Sequence, residues 1–342
     1  MPEPAWFNGN VGIAQGGFME IYNITHSADL DGLGSAAMLI GTYGVKKRNI
    51  LFADYNDARF DYLVKEIKAI APKGSIFIIS DINIDKGHKG LFLGLLSYLK
   101  ERGNTIIWLD HHSWSPTNVA AMKKYCSLMV VGENVDNCAA QLVHKIMCNG
   151  SKRYSKLAAM THFADFNIRS KRYDPVLKRI AFAINNINNR GPGASDPLLR
   201  EVAGAISKYD FGAKVIKSHY DEYVKDSKKN LEKLSKNIFA FDTGNIVVGV
   251  GFGSGIHTNA AAEFIKDRTN AAMTLYVNTA KMQVSMRSTD GIDCIKLASR
   301  ERGGGHPKAA GFPVETKAFN ILDSKGKGMF VAHVERLARK LY

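Results

Sequence analysis

The sequence predicts an α/β protein: a doubly wound parallel sheet, then a helical connector, then a smaller α/β domain. Three observations predict it. Short apolar runs alternate with helical patterns in the first half, the strand signal disappears from about 166 to 240, and strand-like patterning restarts after 240. At 342 residues the chain is also long enough for two cores, since single cores rarely grow beyond roughly 250–300 residues.

The runs "EIYNIT", "NILFADY", "SIFIIS", "NTIIWL" and "SLMVV" each carry β-branched or aromatic residues and end at polar or turn residues. Between them, "DARFDYLVKEIKAIA" and "KGLFLGLLSYLKER" have helical spacing. Alternating strands and helices make βαβ units, hence a parallel sheet covered on both faces. Residues 1–165 are assigned to this domain. In 166–240, "PVLKRIAFAINNINN", "DPLLREVAGAISKY" and "VIKSHYDEYVKDSKKNLEKLSKN" read as helices, and "RGPGASDP" between the first two reads as a turn with a mobile hinge. In 241–342, "NIVVGVGF", "AAMTLYV" and "KMQVSMRS" read as strands, with helices at 259–267 and 329–341. Two α/β domains facing each other across a connector place the expected active site in the cleft between them.

Composition narrows the class. Hydrophobic content of 45% and charged content of 23% are ordinary for a soluble globular protein. No apolar run approaches the roughly 20 residues that span a bilayer, and "MPEPAWFNGN" lacks the layout of a secretory signal. Cys126, Cys138, Cys148 and Cys294 form no CxxC pair, so neither a zinc knuckle nor a disulfide framework is indicated. The expectation is a cytoplasmic protein with no membrane partner. Its net charge of +14 favours a polyanionic partner, nucleic acid first. Basic residues gather at 46–48, 169–172, 225–229 and 336–340, partly as ordinary helix surface.

In parallel α/β sheets, ligands bind outside the carboxyl ends of the strands. "EIYNIT" leads into His26, Asp29 and Asp31; "SIFIIS" ends at Asp81; "NTIIWL" ends at Asp110, His111 and His112; the helical "KLAAMTHFADF" carries Asp165. If these ends are neighbours, the carboxylates repel one another severely unless cations neutralise them. Mixed carboxylate and imidazole donors suit Mn2+ and related divalent ions. Single members have simpler readings. Asp31 or Asp81 alone could cap a helix, as could Asp54, and His88, His144, His219 and His333 read as hydrogen-bonded structural groups. Three strands ending in ligand-type residues are not explained that way.

The stretches "HSADLDGLGSA", "SIFIISD", "LDHHSW" and "THFAD" resemble the four motifs of the DHH phosphoesterases. "RGGGHPKAAGF" at 302–312 is similar to the glycine-rich signature of their DHHA1 domain. Asp-His-His alone is weak, but five motifs in the expected order are specific. The layout is nearest to nanoRNase/pAp phosphatases and RecJ-like exonucleases; the family also holds cyclic dinucleotide phosphodiesterases and, more distantly, family II pyrophosphatases. The resemblance implies a two-metal centre, usually Mn2+, with Mg2+ or Co2+ as substitutes. His26 and Asp29 would bind one ion, Asp31, His111 and Asp165 the other, and Asp81 would bridge them. His112 would contact the scissile phosphate, and Asp110 would orient the histidines. Two residues, Ser27 and Ala28, separate His26 from Asp29 where many relatives have one. His162 is the alternative to Asp165.

Such a centre activates water and neutralises phosphate charge without a serine or cysteine nucleophile. Arg302, Gly303, Gly304, Gly305 and His306, with Lys308, read as an anion clamp, because consecutive glycines let backbone N–H groups approach an anion. Arg287 is a second expected contact. His257 reads as a helix-start residue, and Trp114 and Tyr173 as packing groups that could also stack bases. The combined expectation is a Mn2+ phosphodiesterase that shortens short single-stranded RNA or DNA from an end and releases mononucleotides. The alternative is hydrolysis of a small phosphorylated molecule: pAp, a cyclic dinucleotide, pyrophosphate or polyphosphate. The resemblance also admits a homodimer.

Overall fold

The computed structural model describes residues 19–342 apart from 56, 85–87, 133–135, 169, 290 and 316–317. The N-terminal stretch to which no role is assigned, and Arg169 of the basic run at 169–172, lie outside the described residues. The chain forms two compact units, one through Tyr220 and one from Asp221.

In the first unit, β1 (Ile21–His26), α1 (Leu30–Tyr43), β2 (Ile50–Ala53), α2 (Asp57–Ile70), β3 (Ile76–Ser80), α3 (Lys89–Glu101), β4 (Thr105–Asp110), α4 (Pro116–Lys123) and β5 (Leu128–Val131) alternate as the apolar runs require. Helices α5 (Ala139–Ile146), α6 (Lys152–Asp165), α7 (Asp174–Asn188), α8 (Pro192–Ile206) and α9 (Lys214–Ser235) follow. The sheet order is β2-β1-β3-β4-β5, and every pairing is parallel. On one face Ile78, Ile107 and Leu109 pack with Leu33 and Met38 of α1, Leu157 of α6 and Val202 of α8. On the other, Phe77, Ile79 and Trp108 pack with Phe60 of α2 and Phe92 of α3. Strands buried on both faces need continuous apolar runs rather than alternation, which is what the sequence carries. The order reverses between β1 and β3, so the crevice at their carboxyl ends is where this topology binds ligands.

Small residues let α1 start directly over that crevice. A Cβ on Gly32 would lie 2.1 Å from the His26 carbonyl oxygen, and one on Gly34 would lie 2.4 Å from Thr161 Cγ2 of α6. Asp29 caps the helix, its Oδ1 accepting the N–H of Asp31 at 3.1 Å and of Gly32 at 3.2 Å.

Two expectations about the middle of the chain are corrected. "RGPGASDP" is not a hinge: Gly191 (φ 82°) precedes α8, Pro192 occupies its first turn, and Ser195 and Asp196 are buried. Proline at a helix start loses no intrahelical hydrogen bond, so this Pro/Gly cluster starts a helix rather than breaking one. Asp196 pairs with the buried Arg59 of α2, tying α8 down. Nor do the helices of 166–240 stand apart as a connector. Ile180, Ile184, Leu199 and Ile206 share one core with α1, and the division between the units falls inside α9.

The second unit contains β6 (Ile238–Asp242), β7 (Val247–Gly253), α10 (Thr258–Thr269), β8 (Met273–Asn278), β9 (Gln283–Ser288), α11 (Cys294–Ala298), β10 (Gly304–His306), β11 (Ala309–Pro313) and α12 (Ser324–Leu341). Its sheet order is β10-β11-β9-β8-β7-β6, with only the β7–β8 pairing parallel. β6 straddles the expected boundary at 240, its first three residues falling in the span read as the helical connector; it is an edge strand, mostly solvent-facing, and so lacks a buried strand's apolar signature. The glycine-rich "RGGGHPKAAGF" is a hairpin rather than an open loop. A Cβ on Gly303 would lie 2.1 Å from the Gly311 carbonyl oxygen, so close packing in the hairpin requires glycine there. Among the described residues no helix is long and apolar enough to cross a membrane.

Gly32→Ala forces the start of α1 away from His26. Overpacking against backbone costs about 3 kcal/mol or more, and urea unfolding should show that loss, whereas Gly94→Ala, with open space at its Cβ, should be neutral or slightly stabilising.

Candidate metal centre

Three strand ends and one helix end deliver the site. β1 delivers His26, the loop after it delivers Asp29, and the first turn of α1 delivers Asp31. The last residue of β3 is followed by Asp81, whose backbone sits at φ 60° with its N–H donated to Leu109 O at 3.1 Å. A left-handed conformation at a non-glycine residue is unfavourable by about 1–2 kcal/mol, and such strain clusters at functional sites. β4 ends in Asp110 and continues into His111 and His112. The last turn of α6 brings Asp165.

His26 Nδ1 lies 3.0 Å from Asp29 Oδ2 and 3.6 Å from Asp81 Oδ2. His111 Nε2 lies 3.9 Å from Asp31 Oδ2, 3.9 Å from Asp81 Oδ1 and 3.5 Å from Asp165 Oδ2. The potential ligand atoms of His26, Asp29 and Asp81 fall within 4.8 Å of one another, as do those of Asp81, His111 and His112. Asp81 belongs to both groups. Asp165, not His162, meets His111; the His162 ring packs against Phe166, centroids 4.5 Å apart.

Asp31 does cap a helix, but not its own. Its two carboxylate oxygens accept the N–H groups of Ala139 and Ala140, each at 2.7 Å, at the start of α5. That contact holds the carboxylate beside His111, so capping and membership of the cluster coexist. Asp110, fully buried, joins His112 Nδ1 at 2.8 Å and accepts the Trp114 Nε1–H at 2.7 Å. The Trp114 ring packs edge-on against Trp108, as a packing group should, and its N–H also fixes the carboxylate that holds His112. Asp54 is more than a candidate helix cap: its Oδ1 lies 3.5 Å from His26 Nε2. Its position after the apolar "ILFA" is the same strand-end signal that marks the other carboxylates.

Burial drives the Asp81 and Asp165 carboxyls well above their ordinary range, and the neighbouring Asp29 and Asp31 charges add to it. Burial, then Asp29, pushes Asp31 up to about 6. For Asp110, burial works upward, but His112 outweighs it and holds the group low. For His26, burial works downward, but Asp29, then Asp54 and Asp81, raise it well above the usual imidazole range. Oδ2 of Asp81 and Oδ2 of Asp165 are buried and accept no hydrogen bond among the described residues. Buried oxygens without donors, crowded with imidazoles, fit a divalent cation: it supplies the missing positive charge and uses oxygen and nitrogen ligands.

The histidines read as structural are hydrogen-bonded: His88 to Asp57, His144 to Ser151 O, His219 to Asn186 and His333 to Glu301. His257 caps α10. Tyr173 packs on Phe163. In the second unit, His306 pairs with Ala309, and Ala309 with Arg287, across adjacent antiparallel strands. Directly opposed residues share a face, so Arg287 and His306 lie on one side of the sheet. Arg287 Nε donates to Asn259 Oδ1 at 2.8 Å, and burial lowers its pKa to about 10, leaving it cationic at neutral pH. Arg302, at φ 58°, leads into Gly303, while Gly304 and Gly305 lie in β10.

Residues 20–167 match the DHH family, N-terminal domain, and residues 243–325 match the DHHA1 domain. No curated protein matches the sequence. Among solved structures, an exopolyphosphatase-related protein from Bacteroides fragilis is similar, with 13% identity, TM-score 0.54 and 94% and 93% of the two chains covered. A pGpG-specific phosphodiesterase, PggH, from Vibrio cholerae has 12% identity, TM-score 0.52 and coverage of 93% and 99%. RecJ in complex with Mn2+ from Thermus thermophilus has 17% identity and TM-score 0.54, covering 93% of this chain and 52% of RecJ. At these identities the likeness is one of fold.

Without a divalent cation, the raised pKa values of Asp31, Asp81, Asp165 and His26 mean that the folded state binds protons more tightly than the unfolded chain. Their contribution to stability is complete below the ordinary carboxylate range and is lost as pH rises through the raised values. The opposite contributions of Asp29 and Asp110, whose values are lowered, are lost only in more acidic solution. The melting temperature in EDTA should therefore fall between about pH 5 and pH 8, and saturating Mn2+ should abolish or reverse the trend. A flat profile in EDTA would contradict this account of the cluster.

Proposed function

Because the chain belongs to the DHH family, whose members are metal-dependent phosphoesterases, we propose that it is a Mn2+-dependent phosphodiesterase that shortens short oligonucleotides from an end and releases mononucleotides. The observation that carries this reading is Asp81, shared between two groups of ligand atoms at the carboxyl ends of β1, β3 and β4. In the proposed assignment His26 and Asp29 would hold one ion, Asp31, His111 and Asp165 would hold the other, and Asp81 would serve both. When bound, such a pair of cations supplies charge neutralisation at the phosphate and lowers the pKa of an attacking water.

The chain's own residues do the rest. His112 is partly exposed and anchored through Nδ1 to Asp110, so its Nε2 is the nitrogen available to donate to a phosphate oxygen. Trp114 and Asp110 fix that ring before substrate arrives, which spares reorganisation during reaction. In the second unit Arg287, Arg302, His306 and the backbone of Gly303, Gly304 and Gly305 are proposed to bind an anionic part of the substrate. The net charge of +14 suits an oligonucleotide. The second reading is a small phosphorylated substrate such as pAp, a cyclic dinucleotide, pyrophosphate or polyphosphate. It is favoured by fold neighbours named as a pGpG-specific phosphodiesterase and an exopolyphosphatase-related protein.

End-labelled RNAs of increasing length, pAp and a cyclic dinucleotide, each incubated with Mn2+, separate the readings. Mononucleotide release fastest from the shortest RNAs is the expected result; cleavage of only the small phosphorylated molecules transfers the function to the second reading. EDTA should silence hydrolysis and Mn2+ restore it. Asp81→Ala should lower turnover by roughly 1000-fold or more with the fold retained by circular dichroism, the scale of losing central electrostatic stabilisation. His306→Ala should raise KM while Mn2+ uptake is unchanged; loss of Mn2+ in that variant would contradict its role in anion binding.

A further inference from the structure

We infer that Asp54 is a positioning residue for His26: its carboxylate accepts the Nε2–H of the imidazole and keeps Nδ1 on the side of Asp29 and Asp81, where a cation would be held. The inference rests on the metal-centre reading above, and deepens it. β1 and β2 run in parallel with His26 opposite Ala53, so the residue after Ala53 emerges beside the imidazole. Asp54 Oδ1 lies 3.5 Å from Nε2, on the side away from the Asp29 and Asp81 oxygens that face Nδ1.

Further contacts hold this pair in place. The same Oδ1 accepts the Tyr55 N–H at 2.7 Å, restricting the carboxylate. The Tyr55 ring lies 5.3 Å from the His26 ring, and its hydroxyl accepts the Asn83 N–H at 3.3 Å. Asn83 in turn donates through Nδ2 to Ser113 O at 3.0 Å, so the brace runs from the end of β2 past β3 to the loop after β4. The Ser27 N–H donated to Ala53 O at 3.0 Å stitches the chain next to both partners.

A ligating histidine normally gives its second N–H to a carboxylate, carbonyl or water, which fixes the tautomer and raises the basicity of the ligating nitrogen. Asp110 stands in a comparable relation to His112, 2.8 Å from Nδ1. At His26 the arrangement has added weight, because the loop to Asp29 holds two residues, Ser27 and Ala28. A ring constrained from the β2 side keeps its direction whatever the loop does.

The test is calorimetric titration of the chelator-treated full chain with Mn2+, alone and in variants. The wild type should take up two ions. Asp54→Ala should weaken one binding step by roughly 10–100-fold and leave the other unchanged. Asp54→Asn, which retains an acceptor oxygen, should stay near the wild type. In the His26→Ala background, Asp54→Ala should cause no further loss, because two residues acting as one unit are not additive. Circular dichroism and melting check the fold, with Asp54→Ser replacing Asp54→Ala if the latter does not fold. Wild-type affinity at both steps in Asp54→Ala, or an added loss in the His26→Ala background, overturns the role of Asp54 alone. A wild type that takes up no Mn2+ overturns the metal-centre reading itself, so the two failures are distinguishable.

Discussion

The mutual repulsion of buried carboxylates is the constraint on which the first unit turns. Asp31, Asp81 and Asp110 are almost wholly removed from solvent, with Asp165 close behind. Burying even one unpaired carboxylate is strongly unfavourable, and several in one crevice oppose each other's ionisation. A fold can hold such a set only if its scaffold is stable without the site's help. Here the scaffold is a sheet buried on both faces between two layers of helices, each with its own apolar core.

That scaffold also explains how the strain is distributed. Beneath the crevice, Asn23, Thr25 and Ser80 form a buried polar ladder: Asn23 Nδ2 donates to Ile78 O at 2.8 Å, and Ser80 Oγ donates to Thr25 Oγ1 at 2.9 Å. These contacts lock β1 to β3 directly below His26 and Asp81. The left-handed backbone at Asp81 is then over-determined by its neighbours and does not relax. Each carboxylate finds a different local counterweight. Asp31 has the N-terminus of α5, Asp110 has His112 and Trp114, and Asp29 has His26 and its own helix. The Asp81 and Asp165 outer oxygens have least, which marks where a cation fits.

Much of this is legible in the sequence because strand-end chemistry is local. An apolar run followed by Asp or His places that side chain at the carboxyl edge of a parallel sheet, whatever the rest of the fold does. The same rule extends to Asp54, since it follows the buried "ILFA" run. Trp114 is harder to read: its N–H partner, Asp110, is only four residues away, but the loop geometry that joins them is not a repeating pattern. The choice between His162 and Asp165 needs the structure, because one helical turn separates them and only packing decides which faces His111. The Pro/Gly-rich start of α8 and the edge strand β6 mislead a sequence reading for related reasons. Proline starts helices as well as ending them, and an edge strand needs little apolar character.

The sequence by itself determined the α/β class, the parallel first sheet, and the residue types available for chemistry, because backbone periodicity and strand-end position are set within a few residues. It also determined that the chain is basic. Tertiary structure alone decided that Asp81 stands between two groups of ligand atoms, that Asp31 caps a helix distant in sequence, that Asp54 faces the outer nitrogen of His26, and that α7 and α8 belong to the core of the first unit. Each of those facts depends on elements tens of residues apart meeting at a distance of a few ångströms. No local pattern carries that information, since it is the packing of helices on the sheet that sets it.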